Sequence, residues 1–167
     1  MIVYPRGVGQ APWERTFWTD TMRNAMHVGH TVDSMRLWDV ICAAQALAAQ
    51  DGVVPERIMT VGRGVSGILG LYAAILGAPI EQVTLIDPPS SHVEGPYFLN
   101  VLRHMDLPEA AALLAPRRLN FYARMPGAFA EIHRVYELYG KPQHLWLGMS
   151  LRAPLMNRFD HGFTSGY

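Results

Sequence analysis

"VGRGVSGILG", residues 61–70, decides how the rest of this chain is read. A β-rich run, ERIMTV (56–61), leads into it, and a helix-like apolar run, SGILGLYAAIL (66–76), leaves it. Gly62, Gly64 and Gly67 are spaced G-x-G-x-x-G. One reading is a dinucleotide cradle, in which glycines let the backbone approach a pyrophosphate at a helix N-terminus. Asp87 closes the next β-like run, twenty positions after Gly67, where an acidic residue for a ribose hydroxyl is expected. The other reading is a strand-to-helix elbow, a tight turn that lifts a nucleophile above a sheet and needs small neighbours. Gly62 and Ser66 then hold the small positions, and Gly64 stands where the nucleophile belongs. Ser66 is the one hydroxyl in the turn, two places late. The cradle reading leaves too little chain after the turn for a second nucleotide-binding half and a substrate domain.

Outward from the turn, strand-like and helix-like runs alternate. MIVY (1–4), ERIMTVG (56–62), EQVTLID (81–87), RRLNFYA (117–123) and QHLWLGM (143–149) read as strands. Residues 8–30 read as a long aromatic-rich loop. Thr31 or Asp33 can cap a helix through SMRLWDVICAAQALAAQ, with Met35, Trp38, Ile41 and Cys42 on one apolar face and Asp51-Gly52 as its stop. GPYFLNVLRHMDLPEAAALLA reads as two short helices split near Leu107-Pro108. PGAFAEIHRVYELYG reads as a helix with Pro126 near its start and Gly140 past its end. The residues from Leu151 onward read as a loop-like tail. Alternation of this kind predicts an α/β fold: a mainly parallel sheet of about five strands with helices on both faces.

The chain has 167 residues, enough for one domain, 1–167, with a core of its own. Half of it is apolar, 17% is charged, and the formal net charge is zero, so nothing points to a nucleic-acid partner. The single cysteine, Cys42, excludes an internal disulfide and reads as a buried small hydrophobe. No run is long enough to span a membrane and the start lacks the pattern of a signal segment, so the expected location is the cytoplasm. His27 and His30 form H-x-x-H, but zinc needs three or four ligands and no acidic or cysteine partner stands at a useful spacing, so no metal site is expected.

VYPRGVGQAPW, TVDSMRLWDVICAAQAL, PERIMTVGRGVSGILGLYAAILGAPIEQVTLIDPPSS and LPEAAALLAPRRLNFYA, in that order, resemble the later portion of an α/β-hydrolase. The likeness is to acetyl-xylan-esterase-like and dienelactone-hydrolase-like members, and the late DHGF (160–163) is similar to their catalytic-histidine segment. The resemblance implies a truncated α/β-hydrolase fold, esterase or lipase activity on a small ester, and no cofactor. It also implies strands that this chain does not contain. Three or four would precede MIVYPRG, with the loop that gives one oxyanion-hole N–H, and one would lie between the MIVY and ERIMTV strands. Either those two strands pair directly, or a second copy completes the sheet as a homodimer, because open sheet edges are avoided.

Departures from that family pattern shape the candidate site. The elbow carries Gly64 in place of Ser or Cys, and ARMPGAF, after the RRLNFYA strand, offers no carboxylate. Ser66 is the candidate nucleophile, against the plain reading of a small residue packing helix on strand. His161 is the candidate general base, against an exposed tail histidine. Asp87, one strand earlier than the usual acid, is the candidate that orients His161, against an Asx-type turn before Pro88; Asp160 is a weaker alternative. Gly64, Val65 and His92 are candidates for substrate or oxyanion contact. The resemblance gives Arg6 and Gln10 a supporting role near the site. Trp13 and Trp18 could line an apolar cleft wall.

Overall fold

A computed structural model of the chain describes residues 1–9 and 12–148. The element order is α1 (Arg15–His27), α2 (Val32–Ala48), β1 (Met59–Arg63), α3 (Val65–Ile75), β2 (Gln82–Ile86), α4 (Leu107–Ala112), β3 (Arg118–Tyr122), α5 (Ile132–Leu138) and β4 (Leu145–Gly148). The four strands form one parallel sheet in the order β1-β2-β3-β4. The fold is α/β, as the alternation predicts. The order runs without reversal, so the described sheet holds no topological switch point, where a dinucleotide would lie.

Each strand is short and apolar on the side that meets helices. Val83, Leu85, Leu119 and Phe121 are fully buried and share a cluster with Ile68, Leu71, Leu107, Leu114, Phe129 and Tyr136. Side chains alternate across a strand, so these residues mark one face. α3 meets that face, with Gly70 against Thr60 and Gly67 against Leu85. The turn at Gly127–Phe129 reaches it through Phe129, whose ring lies 5.2 Å from that of Phe121. The other face carries a buried polar pair, in which Asn120 Nδ2 donates to Thr84 Oγ1 at 3.2 Å across β2 and β3.

Three sequence expectations need correction. MIVY is no strand: Met1–Pro5 has no ladder partner and its side chains are largely exposed, so the sheet has four described strands and not five, and direct pairing of MIVY with β1 does not occur. Strand propensity is not enough without a partner edge. The long loop expected over 8–30 contains α1, whose Trp18, Met22 and Ala25 recur at helical spacing and give it one inward side. Cys42 is exposed, because α2 turns Leu37, Ile41 and Ala44 inward instead. The cap of α2 is Thr31, in a reciprocal capping box with Ser34.

Candidate active site

The elbow is built by three glycines with two different tasks. A Cβ on Gly62 would lie 2.5 Å from the Gly67 nitrogen, and one on Gly67 would lie 2.6 Å from the Gly62 carbonyl oxygen. Neither position tolerates a side chain, because the neighbours are backbone atoms. β1 and α3 can therefore meet only with glycine on both sides of the turn. Gly64, between them, has φ +55° and ψ −133°, a conformation an L-residue enters only under strain. A Cβ there would meet nothing within 4 Å. The turn is thus a sharp strand-to-helix turn with open space above Gly64.

Backbone groups around Gly64 divide between sheet and site. The Gly64 N–H donates to the Ile86 carbonyl at 2.8 Å, which ties it to β2 and takes it out of reach of an oxyanion. The Gly64 carbonyl accepts from the Gly67 and Ile68 amides. Val65 and Ser66 open α3 with N–H groups the helix itself cannot use. Both amides lie at the start of α3, with the helix dipole behind them. Ser66 is exposed on the first turn and its hydroxyl bonds to no described residue.

Asp87 follows β2 at the level of Gly64, since Arg63 and Ile86 are register partners. Its φ is +45°, and Ala123, at the same level after β3, has φ +64°. Three successive strands thus end in positive-φ residues side by side. The two that are not glycine store strain at the carboxyl end of the sheet, where open α/β sheets place their ligands. The Asp87 carboxylate is exposed and faces Arg63 Nη2 at 3.7 Å, a pair sequence reading did not find. His161 and Asp160 lie outside the described residues, as does Gln10.

His92 sits under the site rather than in it. The ring is 2% exposed, Nδ1 lies 2.7 Å from the Pro96 carbonyl, and Nε2 lies 2.7 Å from the Tyr72 hydroxyl. With Nδ1–H donating to Pro96, Nε2 accepts from Tyr72. No ring nitrogen is left for a substrate. Burial pushes the Tyr72 phenol up to about 12. The His92 amide donates to Asp106 Oδ1 at 2.7 Å, and Asp106 also accepts from the Leu107 amide at the start of α4. Burial opposes the charge on Asp106, but bonds from the Ser91 hydroxyl and these two amides hold it below the usual carboxylate range. Sequence analysis missed Asp106; the signal for it is the capping box D-L-P-E, residues 106–109.

This scaffold seats the loop at Gly95 directly on the elbow, since a Cβ on Gly95 would lie 3.3 Å from the Val65 side chain. Beyond that loop lies an apolar cavity of about 380 Å³ lined by Trp18, Met22, Met26, Phe98 and Leu99, with Asp33 among its walls. Trp18 lines it as expected; Trp13 instead lies on Gly7, meeting Phe17 edge-on and Trp18 at a tilt. Asp33 is buried but accepts from the Tyr97 amide at 2.8 Å and pairs with Arg36. Arg6 clamps the N-terminal segment to α2: its amide and Nε reach Asp39 Oδ2 at 3.0 and 2.8 Å, and Nη2 reaches Oδ1. Among the described residues no group of three or more His, Cys, Asp or Glu could hold a metal ion, and no helix is long and apolar enough to cross a membrane.

No family model and no characterised protein matches the chain by sequence. Solved structures do match in fold. A candidate acetyl xylan esterase from Bacteroides fragilis superposes with a TM-score of 0.62 at 14% identity, over 87% of this chain and 45% of that one. A glucuronoyl esterase from Solibacter usitatus gives 0.52 at 17% identity, over 65% and 37%. A family 15 glucuronoyl esterase from Caldicellulosiruptor kristjansonii gives 0.53 at 15% identity, over 79% and 49%. The parallel sheet and its helices are similar in fold to part of each of these esterase structures, and the chain spans less than half the length of each.

Proposed function

We propose that this chain is a carboxylic-ester hydrolase, a single α/β-hydrolase-like domain over 1–167, acting by acyl transfer to a hydroxyl. The observation that carries this reading is the elbow: φ +55° and ψ −133° at Gly64, held between two glycines that admit no Cβ, at the carboxyl end of a parallel sheet. The structurally similar proteins being carbohydrate esterases supports it. In this mechanism Ser66 attacks the ester carbonyl and His161 takes its proton. The tetrahedral oxyanion is met by the Val65 N–H, Asp87 orients the imidazole, and His161 returns the proton to the leaving alcohol. Hydrolysis of a short p-nitrophenyl ester tests it. The wild type is expected to turn over, and Ser66→Ala and His161→Ala to lose about 10²–10⁴-fold. A wild type no faster than Ser66→Ala overturns the assignment.

Gly64 favours a second reading, a hydrolase-shaped domain that binds or assembles without turning over. Its signature is an inert wild type together with a Gly64→Ser variant that gains activity, since the side chain would enter open space.

A further inference from the structure

We propose that the loop Gly95–Tyr97 is a brace for the first turn of α3, and that His92 is the positioning residue that sets its height over Val65. The consequence for turnover rests on the ester-hydrolase reading above, in which Val65 and Ser66 of that turn do the chemistry. The turn needs outside support. Its N-cap is Gly64, which has no side chain to bond the first amides, although a capping side chain is the usual way to fix a helix start. The backbone bonds of Gly64 run to Ile86, Gly67 and Ile68, and none of these holds the Val65 or Ser66 N–H.

What bears on Val65 is the loop. A Cβ on Gly95 would lie 3.3 Å from Val65 Cγ2, closer than ordinary contact, and Gly95 has φ +101°. Glycine is therefore required there twice, by the backbone and by the closeness to Val65.

The three residues after this foot are each pinned. The Pro96 carbonyl accepts from His92 Nδ1 at 2.7 Å. The Tyr97 amide donates to Asp33 Oδ2 at 2.8 Å, which ties the loop to the start of α2. The Phe98 ring stands 4.9 Å from that of Tyr72 and 5.7 Å from that of His92. His92 is fixed in turn, by the Tyr72 hydroxyl at Nε2 and by Asp106 at its amide, each at 2.7 Å. Tyr72 stands seven residues, about two helical turns, after Val65, so both lie on one side of α3. The loop is fastened to α3 at Tyr72 and bears on it again at Val65. A buried ring with both nitrogens engaged cannot tilt freely, so the Pro96 carbonyl, and Gly95 beside it, follow the ring. Reacting groups must be held close to their attack geometry, and a displacement of about 1 Å can cost about 10²-fold in rate.

Two substitutions at position 92 separate the two ties of the ring. His92→Asn puts an amide nitrogen near the place of Nδ1, so it keeps a donor for Pro96 and loses the Tyr72 bond. His92→Gln puts an amide oxygen near the place of Nε2, so it keeps an acceptor for Tyr72 and loses the Pro96 bond. Each leaves one buried partner unmet, so the urea midpoints of the two should fall alike. Hydrogen exchange at Gly67, Ile68 and Tyr97 should quicken in His92→Gln and not in His92→Asn. On a short p-nitrophenyl ester, kcat should fall about 10–100-fold in His92→Gln with KM little changed, while His92→Asn stays near the wild type. Asp33→Ala against Asp33→Asn, which keeps an acceptor for the Tyr97 amide, repeats the comparison and stands alone if the His92 variants fail to fold. Losses of kcat and of protection that are equal in His92→Gln and His92→Asn, and so follow stability, overturn the proposal. So do wild-type exchange and kcat in His92→Gln. An inert wild type with the expected exchange pattern overturns the ester-hydrolase reading and supports the brace.

Discussion

Adding one methyl group to Gly64 and the same group to Gly67 should cost stability for unrelated reasons, and the comparison tests the elbow without any assay of activity. At Gly64 there is room but the wrong backbone: the Cβ meets nothing within 4 Å, while φ +55° with ψ −133° strains any L-residue. That strain is about 1–3 kcal/mol. It belongs to the backbone, so Gly64→Ala and Gly64→Ser should lose the same amount within about 0.5 kcal/mol. At Gly67 the backbone is ordinary but the Cβ would lie 2.6 Å from the Gly62 carbonyl oxygen and 3.1 Å from Leu85. Helix and strand must separate, which places the loss at or above the top of the roughly 1–3 kcal/mol range for overpacked cores. Urea unfolding followed by circular dichroism reads both. In thermal melts each kcal/mol appears as about 2–4 °C for a chain near this size. A neutral Gly64→Ala would refute the strained elbow, and a Gly67→Ala milder than Gly64→Ala would refute the close approach of β1 and α3.

Tyr72→Phe should destabilise by about 1–3 kcal/mol, since it leaves buried His92 Nε2 without its donor, and denaturant unfolding measures it. In an alkaline ultraviolet titration burial should hold back two tyrosines of the wild type, Tyr72 and Tyr136, and in Tyr72→Phe only one such late step should remain. Asp106→Asn should cost stability at neutral pH. Because Asp106 ionises below its unfolded value, its contribution is present above about pH 4 and is lost as pH falls through the lower, folded value, so wild type and variant should converge in acid. Asp39→Asn should free the N-terminal segment, raising hydrogen exchange over residues 1–9, while global stability changes by no more than about 1 kcal/mol, because the pair is partly exposed.

What the sequence displayed most plainly was punctuation tied to backbone need. Gly62 and Gly67 were legible because only glycine permits that approach, and Thr31 because a capping side chain sits at a fixed offset from the amide it satisfies, whereas the Asp106 cap was missed. β1 to β4 were legible as short apolar runs between breakers. What failed were inferences from propensity alone. MIVY has strand composition but lacks a partner edge within its own copy, and Cys42 sits among apolar neighbours on a helix whose inward side is set by Leu37 and Ala44. His92 could not be placed from sequence, because its two ring partners, Tyr72 and Pro96, are joined to it only by the turn of the loop after β2.

The elbow itself separates two kinds of requirement that usually travel together. Gly62 and Gly67 are demanded by packing: replace either, and β1 and α3 cannot touch, whatever the protein does. Gly64 is demanded by neither packing nor space, since a side chain there would project into the open. Beside it, Asp87 and Ala123 are positive-φ residues that are not glycine, and they do store strain at this end of the sheet. Two arrangements remain consistent with that geometry. Either the hydroxyl chemistry has moved two residues to Ser66, as the proposed mechanism has it, or the backbone persists because the crossing of β1 and α3 forces it. The first demands that Ser66→Ala abolish turnover while stability is unchanged. The second demands that every loss at this turn track the Gly62–Gly67 contact, and the pair of measurements decides between them.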